Sequence, residues 1–332
     1  EVAHLLLIGH LPTQNELDSF STRLRSHRVL PEPVQRFVGH LQPGLHPMDV
    51  LRTGISLLGL SDPDAQDGSH EANLRKSMRL LSQIPLLIAH SYRVMSGTST
   101  QRQDESPDFA QHLLHLVAGH KDGDIGAAMA QVLNVSLILY AEHEFNASTF
   151  SARVTASTLT DLHGAITAAV ATLKGPLHGG ANEAVASMLI EIGSPERAEA
   201  WVREALAQKR RVMGFGHRVL RQGDARSAII QRHAERLSHL CGDHSWYDIA
   251  STIHRIMREE KGLHPNLDFY TAVAYQLMGI PRELSTPLFV CSRITGWCAH
   301  VMEQQEHNRL IRPRALYTGP APRTYEPLHR RI

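Results

Sequence analysis

The chain has 332 residues, 42% of them hydrophobic, with 34 basic and 33 acidic side chains and a formal net charge of +1. That is enough apolar material for one large domain or two unequal ones, and a charge so near zero gives no basis for a nucleic-acid or membrane-surface partner. The three cysteines, Cys241, Cys291 and Cys298, are odd in number and lack CxxC spacing, which fits a reducing compartment and argues against a zinc site.

The sequence opens with "EVAHLLLIGHLPT", which reads as the inside of a helix, so an incomplete N-terminus is expected; there is no initiator Met and no signal-peptide pattern. The most apolar run, "LLSQIPLLIA", is too short to span a bilayer and contains Pro85. Residues 97–107, "GTSTQRQDESP", read as a polar loop. Residues 147–173 carry apolar side chains at spacings of mostly three to four, which predicts one long helix ending at Lys174-Gly175-Pro176. A helix is expected from about Asn182 to Gly193, and another opening with Ser194 as cap and Pro195 in the first turn. Asp224 can cap a helix running to Gly242. Further helices are expected over about 246–261, 268–278 (closed by Gly279) and 286–304, with a Pro-rich extended tail after Arg314. No run alternates as strands do, so the expected fold is all-α.

Several residues are candidates for chemistry. His112, His115 and His120 cluster in "HLLHLVAGH", but histidines on helices are mostly packing or surface residues. The string "HEFNA" lacks the second histidine of a zincin, so no metal is expected. In "GFGHRV" the third glycine of a dinucleotide loop falls at Val219, and no strand precedes it. Asp268 in "PNLDFY" sits where a helix begins, and is either a cap or a general base. Arg226, Arg293 and Arg312 are each readable as surface cations; together they could bind a dicarboxylate, because a guanidinium fork matches a carboxylate. His178 in "GPLHGGANE" and His217 in "VMGFGHRV" both follow glycines, which let backbone approach a ligand.

Taken jointly, the strings "HPMDVLRTGIS", "YAEHEFNASTFSARV", "GPLHGGANEAV", "VMGFGHRV", "PNLDFY", "STPLFVCSRITGW" and "NRLIRPRALYTGP" resemble the citrate synthase family, in family order and over nearly the whole chain. The family's usual N-terminal stretch ahead of residues 2–9 is absent. The resemblance implies a multi-helical homodimer whose large domain (1–180 and 279–332) and small domain (181–278) flank a cleft. It implies His178, His217 and Asp268 as catalytic, and His143, Arg226 and Arg293 as oxaloacetate ligands, with Arg312 supplied by a partner subunit. It places Arg211, Val212, Met213, Gly214 and Phe215 against coenzyme A, which is a substrate thioester; no resident cofactor is implied. A cytoplasmic location is implied for a bacterial source, and a mitochondrial matrix for a eukaryotic one. Tyr140 and Leu267 stand where citrate synthases often carry His and Val, and in this the chain resembles 2-methylcitrate synthases, which condense propionyl-CoA rather than acetyl-CoA. A relative retained as a non-catalytic structural or binding subunit is the other class of reading. Such chains commonly lose a catalytic residue, whereas all three are present here.

Overall fold

The computed structural model describes residues 1–98, 106–119, 121, 123–216 and 223–331. Among them fifteen α-helices follow one another, with two short 3-10 turns and no strand, as the all-α expectation requires. The first nine are α1 (Val2–Ile8), α2 (Gln14–Ser26), α3 (Glu32–Gly39), α4 (Pro47–Ser61), α5 (His70–Ser96), α6 (Phe109–Ala118), α7 (Gly123–Tyr140), α8 (Ala147–Ala156) and α9 (Leu162–Leu173). The other six are α10 (Ala181–Ile192), α11 (Pro195–Ala207), α12 (Ala225–Cys241), α13 (Ser245–Lys261), α14 (Leu267–Met278) and α15 (Ser285–Glu306).

Capping chemistry sets these boundaries. The side chains of Asn146, Asp161, Asp224 and Asn266 accept first-turn N–H groups at the starts of α8, α9, α12 and α14. Helices α10, α12, α13 and α14 each stop at a glycine in the left-handed region. Two expectations need correction. The stretch 147–173 is not one helix: Leu159 takes a φ of 63° and Asp161 accepts from the Gly164 N–H at 2.9 Å, so the chain stops after Ala156 and restarts at Leu162. The run of polar and β-branched residues around Thr158 and Thr160 offers the backbone alternatives to helix, which outweigh the apolar period. Ser194 precedes α11 but makes no side-chain cap bond.

Helices α8 and α9 pack on each other, α4 lies on α9, and α15 runs against α5, α7, α8 and α9. Helices α10 to α14 pack largely among themselves, and α12 and α14 also touch α7. Helix α15 is buried without interruption from Ser285 to Cys298, so it forms the spine of the first group. By length and composition α7 could cross a membrane, a longer apolar run than the one singled out in the sequence. It packs instead against α6, α12, α14 and α15 and delivers Tyr140 at its end. The tail after Arg314 is extended, with one short 3-10 turn at Leu328–Arg330. Cys291 and Cys298 are buried thiols and Cys241 is half-buried.

The segment 212–216 lies antiparallel to 264–266. Asn266 N–H donates to the Gly214 carbonyl at 2.9 Å, and Gly216 N–H to that of His264 at 3.3 Å. Gly214 has a φ of +82°, and a Cβ there would sit 2.7 Å from the Phe269 ring and 2.8 Å from Val185. Replacing Gly214 with Ala is therefore expected to destabilise the fold by about 2 kcal/mol or more, combining backbone strain and overpacking. A Gly214→Ala chain with an unchanged thermal midpoint would contradict this packing.

Candidate active site

A cleft of about 600 Å³ opens where several helix ends meet. Its wall carries Tyr140 from the end of α7, His143 from the next loop, His178 from the turn before α10, Asp224 and Arg226 from the start of α12, Leu267 and Asp268 from the start of α14, and Phe289 and Arg293 from α15.

The C-terminal end of α7 organises the cationic side. The last carbonyls of a helix have no intrahelical donor. Here Ser292 Oγ donates to the Leu137 carbonyl, Arg226 Nη1 to that of Leu139 at 3.4 Å, and Arg293 Nε to that of Tyr140 at 2.6 Å. Two guanidinium groups thus sit at the negative end of a helix dipole. Arg293 is 1% exposed, lies over the Phe289 ring at 4.7 Å, and has no protein hydrogen-bond partner at Nη1 among the described residues. Burial brings its pKa down to about 10, which still leaves it charged near neutrality. Arg226 grips Asp224 through Nε at 3.0 Å and Nη2 at 2.8 Å. Neither arginine is the free surface cation that it is when read alone.

His178 sits in a tight turn: its N–H donates to the Gly175 carbonyl at 2.8 Å, and Gly179 N–H donates to that of Leu173 at 2.9 Å. A Cβ on Gly179 would collide with the same Leu173 oxygen, which explains the glycine after the histidine. The ring Nε2 lies 3.2 Å from the Ser148 backbone N and 2.7 Å from Ser148 Oγ. A backbone N–H can only donate, so Nε2 is the accepting nitrogen. The hydrogen-bond network therefore places the ring proton on Nδ1. The Ser148 hydroxyl donates to Asn146 Oδ1 at 2.8 Å, and that oxygen also accepts from the Thr149 N–H at 3.1 Å. The Trp297 indole donates to Ser148 Oγ at 3.2 Å and fixes it. Burial, with Arg293 and His143 nearby, pushes the His178 pKa down to about 4. The result is a neutral imidazole held by an unpaired N–H at the start of α8.

Asp268 does not cap α14; that role belongs to Asn266, whose side chain accepts from the Asp268 N–H at 3.1 Å. The carboxylate is left for the cleft, with Tyr140 Oη donating to Oδ1 at 2.6 Å. Burial raises the Asp268 pKa, while the Tyr140 hydrogen bond and Arg226 pull it back. Of the segment Arg211 to Phe215, Arg211 faces the cleft, whereas Val212, Met213, Gly214 and Phe215 do not line it. Arg312 is exposed and lies outside the cleft of its own chain. His217 and His120 fall outside the described residues, and His112 and His115 are buried on α6.

A cleft that joins a neutral histidine, a buried carboxylate and two helix-end arginines suits proton transfer beside a bound anion. In comparison with known proteins, residues 1–314 match the family described as citrate synthase, C-terminal domain. The chain belongs to the citrate synthase family. It is 43% identical over 332 residues to Citrate synthase 2 of Bacillus subtilis (strain 168), covering 100% of this chain and 88% of that one. It is also 43% identical over 332 residues to the 2-methylcitrate synthase of Shewanella oneidensis, covering 100% and 87%. Among solved structures, the citrate synthase of Thermoplasma acidophilum, in a ternary complex with carboxymethyl coenzyme A and oxaloacetate, superposes with a TM-score of 0.90 at 33% identity, over 99% of this chain and 87% of that one.

Ser148, Trp297, Asn182 and Asp224 join the site in this family member without a motif in the sequence that marks them as site residues. For Ser148 the signal is local: "NAST" reads as a cap followed by a first turn, which exposes the Ser148 N–H. Asp224 reads locally as a cap, and its pairing with Arg226 is two residues away, whereas Trp297 and Asn182 act through long-range contacts. The His178 geometry gives a direct measurement. In an NMR titration the His178 ring should stay in its Nδ1–H tautomer near neutrality and protonate with a midpoint of about 4. A midpoint at or above the usual histidine value, roughly 6.5, would mean that the Ser148 contact does not hold it neutral.

Proposed function

We propose that this chain is a 2-methylcitrate synthase, condensing propionyl-CoA with oxaloacetate and releasing CoA after hydrolysis. The observation that carries the acyl choice is the wall beside Asp268: Tyr140 and Leu267 are 3% and 2% exposed and line the cleft next to the carboxylate. Side chains so placed shape the space around the acyl carbon. One extra methyl buried there is worth about 0.8 kcal/mol, a few-fold in rate constant, so acetyl-CoA remains a competing substrate. The relatives at equal identity, one named for each product, support the family equally and leave the preference to measurement.

In this reading Asp268 removes the α-proton of the thioester while His178, neutral, donates Nδ1–H to the developing enolate oxygen. The α-carbon attacks the ketone carbon of oxaloacetate, and His217 protonates the new alkoxide. Arg226, Arg293 and His143 hold the oxaloacetate carboxylates, and the exposed Arg312 completes the cleft of a partner subunit in a homodimer. Arg211 and the backbone through Phe215 receive coenzyme A at the mouth. Water then splits the thioester, giving 2-methylcitrate and the free thiol. No resident cofactor or metal is called for, because proton transfers and carbon–carbon bond formation run between side chains and two substrates. Residues 181–278 act as the small domain that closes on the large one, keeping water out until condensation is complete. As a cytoplasmic enzyme the chain would meet both substrates there.

Release of CoA thiol with each thioester at saturating oxaloacetate tests the proposal. The kcat/KM for propionyl-CoA is expected to exceed that for acetyl-CoA by at least a few-fold; the reverse order makes this a citrate synthase by preference. Asp268→Asn cannot accept the α-proton, and turnover is expected to fall by roughly 10²–10⁴ with oxaloacetate binding nearly intact. Wild-type turnover in that variant would remove Asp268 from the chemistry.

A further inference from the structure

The wall beside the base contains more than shape. Tyr140 Oη is 2.6 Å from Asp268 Oδ1, a length typical of a hydroxyl donating to an ionised carboxylate. Asn182 Nδ2, 2% exposed on α10, points at the same phenol oxygen from 3.3 Å. An amide N–H can only donate, so the phenol's own proton is directed to Asp268. The phenol cannot swing away. Its residue's carbonyl is held by Arg293 Nε at 2.6 Å, and its ring packs on Phe289 with centroids 4.4 Å apart. A side chain needed only to narrow an acyl pocket would not require that hydroxyl, since a phenylalanine has nearly the same outline.

Taking Asp268 as the base, as proposed above, we infer that Tyr140 is its positioning residue: the phenol holds Oδ1, fixes the rotation of the carboxylate, and assigns the α-proton of the thioester to Oδ2. An oxygen already accepting a short bond from a phenol is a poor proton acceptor, so the transfer goes to the other one. The proton then leaves from Oδ2 when the product departs, and Tyr140 stays protonated throughout. The same bond favours the ionised carboxylate. The other groups facing Asp268 are Arg226 and Asp224 at the start of α12, Arg293 on α15 and Tyr275 on its own helix. None of these is altered when the phenol loses its oxygen. Removing that oxygen therefore moves the base in one direction only, toward needing a higher pH to ionise.

The test is Tyr140→Phe in the full chain, assayed by CoA release between about pH 5 and pH 9, where the acid limb of kcat/KM reports the free base. The acid limb is expected to move up by about one pH unit, with kcat on the plateau roughly tenfold lower because the carboxylate is no longer oriented. The KM for oxaloacetate, and the ratio of kcat/KM values for propionyl-CoA and acetyl-CoA, should change by less than about twofold, since ring volume is kept. An unmoved acid limb overturns the inference, and overturns it in favour of a shape-only role if the acyl ratio shifts instead. Should Tyr140→Phe fail to fold, as judged by its thermal melt, Asn182→Ala carries the test. It removes the donor that aims the phenol, and a shift of roughly half a unit in the same direction is expected, with no shift overturning the inference. A wild-type chain that releases no CoA from either thioester overturns the reading of Asp268 as base, and this inference with it; with an active wild type, only the positioning role is at stake.

Discussion

The last turn of α7 is the constraint on which the cleft depends. Its unpaired carbonyls must find donors, and they draw in Ser292, Arg226 and Arg293 from two other helices. That one demand brings α12 and α15 to the same spot and leaves their guanidinium groups facing the cleft. The same residue, Tyr140, gives its carbonyl to Arg293 and its hydroxyl to Asp268. Backbone satisfaction and site geometry are therefore a single problem here, solved once.

Helix polarity sorts the remaining groups. The cations gather at a helix C-terminus, while His178 takes an unpaired N–H from the start of α8 and Asp268 stands in the first turn of α14. Burial acts on all three in the same sense, against charge, but with different outcomes. It keeps His178 neutral, leaves Arg293 charged because a guanidinium starts so high, and raises Asp268 only partway because Tyr140 and Arg226 oppose it. The histidine is thereby kept neutral and the carboxylate made a stronger base, two changes that would suit proton abstraction.

Much of this was legible in the amino-acid sequence where the signal is local. Asp224, Gly193, Gly242 and Gly279 mark helix ends because cap chemistry needs only neighbours along the chain. Where two local signals competed, the apolar period of 147–173 concealed the Asp161 cap and the break before it. Arg293 reads as a surface cation in isolation, yet it is among the most buried side chains, because its partners lie 153 residues away at Tyr140 and beside it at Phe289. Asp268 was open between cap and base until Asn266 proved to hold the cap. The tie from Ser148 to His178 spans 30 residues and two loops, which no spacing rule reaches. Leu267 and Tyr140 meet at the same carboxylate from positions 127 residues apart, a closeness that only the packing of α7 on α14 creates.

The orphan Nη1 of Arg293 has a thermodynamic consequence. Among the described residues this buried guanidinium nitrogen has no protein acceptor, so an anion in the cleft would supply one. Any carboxylate-bearing ligand that reaches it therefore binds the folded form and not the unfolded one. By mass action such a ligand at 100 times its dissociation constant adds about 2.7 kcal/mol to stability. The melting temperature of this protein would then rise with cleft occupancy.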